Sequence, residues 1–233
     1  MDVALFSQEG VVMILRWIHF FAGVAWIGHL YYFNFVQGAF LAEVDAPVKN
    51  VALAKLAPKA LWWFRWGAMF TFLSGVGMLA FEGAALGGDF MKTSYGIFIS
   101  IGTLLGTLMF LNVWLIIWPR QKIIVASALS VIGGGQANPE AAKLGPGALL
   151  ASRTNVLFSI PLLFFMGACR HLVLNIPDDF SPGPVMGATT VLILLLQLNA
   201  MKGKLGPMTT VRGVIHCGLG LLVVLYTLTE VLT

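Results

Sequence analysis

The chain has 233 residues, 58% of them hydrophobic and only 10% charged, with a mean hydropathy of +0.88. Soluble domains carry about 25% charged residues, and a water-soluble fold of this size has too little interior to hide so much apolar surface. The bilayer is therefore part of the solvent. The net charge of +4 sits in short loops, where it argues for membrane orientation and against a nucleic-acid-binding surface.

A spanning helix needs roughly 20 apolar residues. Six stretches meet or approach that length, in order about Gly10 to Gly38, Leu61 to Phe81, Tyr95 to Trp118, Ser152 to Ile176, Val185 to Met201 and Val211 to Leu232. Pro119 is expected to stop the third and Pro177 the fourth. Lipid cannot satisfy open backbone groups, so the stretches read as helices. The fold class expected is all-α: a polytopic membrane bundle of about six transmembrane helices, residues 1–233 forming one transmembrane domain. Residues 119–147 read as a cytoplasmic loop, opening with an interfacial helix. Its Gly133-Gly134-Gly135 run lacks the Gly-Lys-Ser/Thr of a phosphate loop and reads as a flexible linker.

Loop charge sets the orientation. Lys49, Lys55, Lys59 and Arg65 fall after the first helix, Arg120, Lys122, Lys143 and Arg153 after the third, and Lys202, Lys204 and Arg212 after the fifth. That is eleven of the 14 Lys and Arg residues on one side, which the positive-inside rule makes cytoplasmic. Both termini then face outward, and the expected location is a bacterial inner membrane. Met1 to Gly10 is acidic, with Asp2 and Glu9, and is not expected to be a cleavable signal peptide.

The two cysteines, Cys169 and Cys217, lie in apolar runs, and no C-x-x-C or C-x-x-C-H occurs. Disulfide frameworks, zinc ribbons and covalent c-type haem attachment are unsupported.

All four histidines fall inside the expected helices, where ionisable residues are costly and usually functional. His19 belongs to the outer half of the first helix and His29 to its inner half, about 15 Å further along the axis. His171 lies near the outer end of the fourth helix and His216 near the inner end of the sixth. The four sort into two levels, His19 with His171 outside and His29 with His216 inside. Two imidazoles from different helices at one depth suit axial ligation of a haem b. Arginines pair well with haem propionates. Arg16 is one turn from His19, Arg170 adjoins His171, and Arg65, Arg153 and Arg212 are available on the inner side. One haem or two are both open, as is a packing role for His29 and His216.

The stretch from Arg16-Trp17-Ile18-His19 through Gly23 to Trp26-Ile27-Gly28 resembles the first helix of the PuuD-type membrane-bound urate hydroxylases. Three more segments resemble the same membrane domain: Trp62-Trp63-Phe64-Arg65-Trp66 with Ser74-Gly75; Gly106-Thr107-Leu108-Met109 with Asn112-Val113-Trp114 and Pro119-Arg120-Gln121; and Ser152-Arg153-Thr154-Asn155 through Ser159-Ile160-Pro161 to His171. The likeness covers roughly residues 10 to 175. Of the histidines it carries over only His19 and His171: family members have serine where His29 stands, and a third-helix histidine where this chain has Ile99-Ser100-Ile101. It implies a membrane domain without the cytochrome c domain that often follows it. HemJ-type protoporphyrinogen oxidases and CopD-like proteins are weaker likenesses.

The function expected is that of a cytochrome b-like electron-transfer protein serving a cytochrome c or an oxidase partner. Alternatives are an oxidoreductase acting on urate, another purine or a porphyrin, a non-redox accessory subunit of a larger complex, and a transporter. The last lacks an intramembrane acidic residue. No Ser-His-Asp set, buried carboxylate pair or phosphate loop is present.

Overall fold

The computed structural model describes residues 4–233, so Met1, Asp2 and Val3 of the expected non-signal N-terminus lie outside the described residues. Six helices are long and apolar enough to cross a membrane: α1 (Gln8–Glu43), α2 (Ala46–Lys92), α3 (Ser94–Ile132), α4 (Pro139–His171), α5 (Gly183–Lys202) and α6 (Val211–Leu232). The described residues contain no strand. The all-α bundle of six spans is thus observed.

Several helices are longer than the apolar stretches that announced them. Apolar length measures the crossing, whereas Ala, Leu, Lys and Glu beyond it still favour helix. Residues 39–60, expected as a loop, are helical except at Val44 and Asp45, and Asp45 caps the next turn by accepting from the Val48 amide at 3.2 Å. Pro119 does not stop the third helix. A π turn, Asn112–Ile117, precedes it, and helix resumes through Trp118–Ile132 with the proline in its first turn. There the missing N–H costs little, because the wider turn has already broken the regular ladder. Pro58 follows the π turn Ala52–Leu56 in the same way.

The expected cytoplasmic loop 119–147 therefore shrinks to residues 133–138. Gly133 donates back to Leu129 O at 3.2 Å, Gly134 adopts φ +85°, and Gly135 donates to Ser130 O at 2.9 Å. The glycine run is a helix C-cap, which needs a residue free of the left-handed penalty. Asn138 starts α4 by accepting from the Glu140 amide at 3.0 Å. At its other end α4 stops at His171 rather than Ile176. Its continuation leaves the helix, with the Leu174 amide donating to Ser94 Oγ at 2.9 Å ahead of Pro177.

The chain divides into two compact units, one formed by the chain up to Phe81 with Phe110–Ser152, the other by Glu82–Met109 with Arg153–Thr233. In the first, α1 and α2 run antiparallel. Leu15 meets Gly77, Trp26 meets Gly67, and Phe33 meets Phe64. A Cβ on Gly67 would lie 2.9 Å from Trp26 N, so glycine sets the approach of the two backbones. α2 and α3 are also antiparallel, through Arg65 on Trp118, Trp66 on Trp114 and Phe72 stacked on Phe110 at 4.3 Å. Asn34 ties α1 to Ser152 at 2.8 Å.

In the second unit α3 and α4 are antiparallel. Asn155 donates to Met109 O at 3.0 Å, Gly102 faces Met166, and Phe98 faces Phe165. α4 and α6 are parallel, since Ile160 abuts Gly218 and Phe164 meets Tyr226 at 5.5 Å. That direction is what the one intervening crossing, α5, produces.

Candidate functional site

His19 is half-buried on α1 and faces α2. Its Nδ1 lies 3.3 Å from Ser74 Oγ. The Ser74 hydroxyl proton is committed to backbone carbonyls, Phe70 O at 2.6 Å and Thr71 O at 3.1 Å. The serine oxygen can then only accept from the ring, so in the neutral imidazole Nδ1 carries the proton and Nε2 keeps the lone pair. Gly75 makes room for this ring: a Cβ there would sit 3.1 Å from His19 Cε1. Arg16, one turn back on the same side of α1, is exposed and has no ion pair among the described residues.

His29 has a comparable arrangement. Its Nδ1 lies 2.7 Å from Ala25 O, an acceptor only, so Nδ1–H donates and the neutral ring keeps its lone pair on Nε2. Metal-binding imidazoles commonly anchor one ring nitrogen in this manner and present the other. The two first-unit histidines thus offer the donor chemistry that a haem iron takes. About 15 Å of helix separates them, so they do not share one metal.

His171 is the last residue of α4 and is exposed. Its neighbour Arg170 forms an ion pair with Glu82 and lies over the Tyr95 ring at 4.4 Å. His216 is exposed in the second turn of α6. Measured from the Ile160–Gly218 contact, His171 lies eleven residues beyond and His216 two residues before, so about 20 Å separates their levels. Each unit therefore keeps its own two histidines at different levels. The expected pairs, His19 with His171 and His29 with His216, each draw one member from each unit.

The five candidate arginines differ. Arg65 stacks on Trp118 at 3.8 Å, and Arg170 is held by Glu82. Arg16 and Arg212 are exposed and unpaired among the described residues. Arg153 is 8% exposed, and its Nε and Nη1 have no hydrogen-bond partner. The partners Ser74, Glu82 and Tyr95 were not singled out by sequence reasoning, although Ser74-Gly75 belonged to a recognised motif.

Among the described residues no three His, Cys, Asp or Glu side chains converge to hold a metal ion. Cys169 and Cys217 form no disulfide, and Cys169 Sγ donates to Met166 O at 3.2 Å.

Fold and site together define a polytopic helical membrane protein with anchored imidazoles inside its spans. Residues 83–178 match the family described as urate oxidase N-terminal, which upholds over that stretch the resemblance to the membrane domain of urate hydroxylase-type proteins. The matched stretch includes His171, Arg153 and Arg170; His19 and the Trp62–Trp66 segment lie before it. No curated protein and no solved structure matches the chain.

Proposed function

We propose that this chain is a haem b-binding membrane protein that passes electrons to a cytochrome c or another redox subunit, in a bacterial inner membrane. The observation that carries the reading is His19, whose Nδ1 lies within hydrogen-bond reach of Ser74 Oγ, an oxygen whose own proton is committed to Phe70 O. When bound, the haem supplies one-electron redox chemistry. His19 would hold its iron through Nε2, Ser74 would fix the tautomer, and Arg16 would pair with a propionate. His29, similarly anchored, is the candidate for a second haem. A reduced-minus-oxidised spectrum with pyridine haemochrome quantification tests this. A reduced α-band that disappears in His19→Ala supports the reading, and purified protein without one overturns it.

A second reading is an oxidoreductase acting on urate or a related heterocycle, and the family match over residues 83–178 favours it. Reduction of the bound haem on adding urate alone would select this reading over simple electron transfer.

A further inference from the structure

Arg153 is buried inside a membrane span, yet neither Nε nor Nη1 has a partner. A guanidinium stays charged in proteins, and an unpaired charge out of water is among the costliest features a fold can carry. Each fork that a guanidinium offers to an oxyanion contains one of these two nitrogens.

The second unit shows where that anion would sit. Arg153 precedes Ile160 by seven residues, which is two turns and the same face of α4. Ile160 is the residue that abuts Gly218 of α6. Seven residues before Gly218 comes Val211, the first residue of α6. Helix register thus places Arg153 on the α6 side of α4, about level with the first turn of a parallel 22-residue helix. Thr210 caps that turn through the Gly213 amide at 2.9 Å, and the amides of Val211 and Arg212 have no partner among the described residues. The positive end of the helix dipole adds to the guanidinium.

Charge is strongly sorted along this unit. Lys202, Lys204 and Arg212 flank the same end. The acidic residues lie at the opposite end: Glu82 on Arg170, Asp89 on Lys92, Asp178 and Asp179 just beyond His171, and Glu230 one turn past Tyr226. No carboxylate of the unit is placed to neutralise Arg153. In a membrane-spanning chain, the abundant anion at the basic end of a helix pair is a lipid headgroup.

We infer that Arg153, Arg212 and the first turn of α6 bind the phosphodiester headgroup of an anionic phospholipid. Arg153 is the buried anchor, and the exposed Arg212 closes over the phosphate from the surface. The site is independent of haem.

The test is thermal unfolding of the purified chain in neutral detergent with added phosphatidylglycerol, phosphatidylcholine or inorganic phosphate, alongside native mass spectrometry of retained lipid. Wild type should gain about 5 °C with saturating phosphatidylglycerol and retain that lipid, with little response to the other two probes. Arg153→Met should lose the gain, and Arg212→Gln should lose part of it. Arg153→Lys keeps a charge without the fork and should retain the lipid more weakly. A full phosphatidylglycerol shift in Arg153→Met overturns the inference, as does an equal shift with phosphatidylcholine or with phosphate alone. Should Arg153→Met fail to fold, wild-type protein retaining no more phosphatidylglycerol than phosphatidylcholine overturns it. Haem loading that falls in Arg153→Lys, with no lipid response in wild type, also overturns it by assigning the guanidinium to a cofactor carboxylate.

Discussion

Ser74 Oγ accepts from His19 Nδ1 across 3.3 Å while its own proton goes to the Phe70 carbonyl at 2.6 Å. The serine is locked to its helix, so it fixes both the rotamer and the tautomer of the histidine. Ser74→Ala removes the acceptor and leaves the ring free to turn. Loss of such an anchoring partner costs about 10- to 100-fold in metal affinity, so on the proposed haem-binding reading a haem titration of the purified chain should show binding weakened by that order. Ser74→Thr keeps the hydroxyl and should remain within a few-fold of wild type. Equal haem affinity in Ser74→Ala and wild type would remove Ser74 from the site.

Two glycines on the first helix pair separate backbone approach from simple helix propensity. A Cβ on Gly67 would meet Trp26 N at 2.9 Å and Ala22 O at 3.0 Å, and both are backbone atoms that cannot step aside. Gly67→Ala should destabilise by about 1–3 kcal/mol, the usual cost of overpacking. Gly28 has nothing within 4 Å of its Cβ position, so Gly28→Ala should be neutral or stabilising by up to about 1 kcal/mol through helix propensity. Unfolding in mixed micelles by titrated dodecyl sulfate would read both, and the ordering is the test.

Arg170 has two partners, and they are unequal. Its ion pair with Glu82 is half open to solvent, with side-chain exposures of 51% and 25%, whereas its guanidinium also rests on the Tyr95 ring. Exposed pairs contribute about 0–1 kcal/mol. Glu82→Gln should therefore leave thermal stability within that range and keep Arg170 in place. Tyr95→Leu removes the ring face and should add a comparable loss of its own. A loss well beyond about 1 kcal/mol in Glu82→Gln would mean that the pair is far better shielded than its exposure indicates.

Number and type of helices were legible in the sequence because apolar length is a direct record of membrane crossing. Their ends were not, because a helix continues wherever propensity allows. Residues 39–60, apart from Val44 and Asp45, and residues 119–132 are helical although charged or proline-bearing. Pro119 misled because its penalty assumes a regular ladder, and the π turn at Asn112–Ile117 has already given that up. At the site, the histidines were visible as residue types, and the separate levels of His19 and His29 followed from helix rise alone. What fixes their tautomers was hidden. The Ala25 carbonyl belongs to every sequence equally, and Ser74 lies 55 residues from His19. The arginines looked equivalent in sequence, yet Arg65 is taken by Trp118, whereas Nε and Nη1 of Arg153 have no hydrogen-bond partner. Only packing separates them.

Gly218 and Ile160 give the most direct check on the parallel pairing of α4 and α6. A Cβ on Gly218 would collide with Ile160 Cδ1 and come within 3.1 Å of Cγ1 and 3.2 Å of Cβ. The end of the isoleucine can swing away, but its Cβ is fixed to α4, so the helices must part slightly. Gly218→Ala alone should cost about 1–3 kcal/mol. In an Ile160→Ala background Cδ1 and Cγ1 are gone and only the Cβ contact at 3.2 Å remains, so the same substitution should cost less than it does alone, by a coupling of about 0.5 kcal/mol or more, as for residues in direct contact. Additive losses in the double-mutant cycle would show that Ile160 and Gly218 do not meet. They would also remove the register that brings Arg153 level with the start of α6.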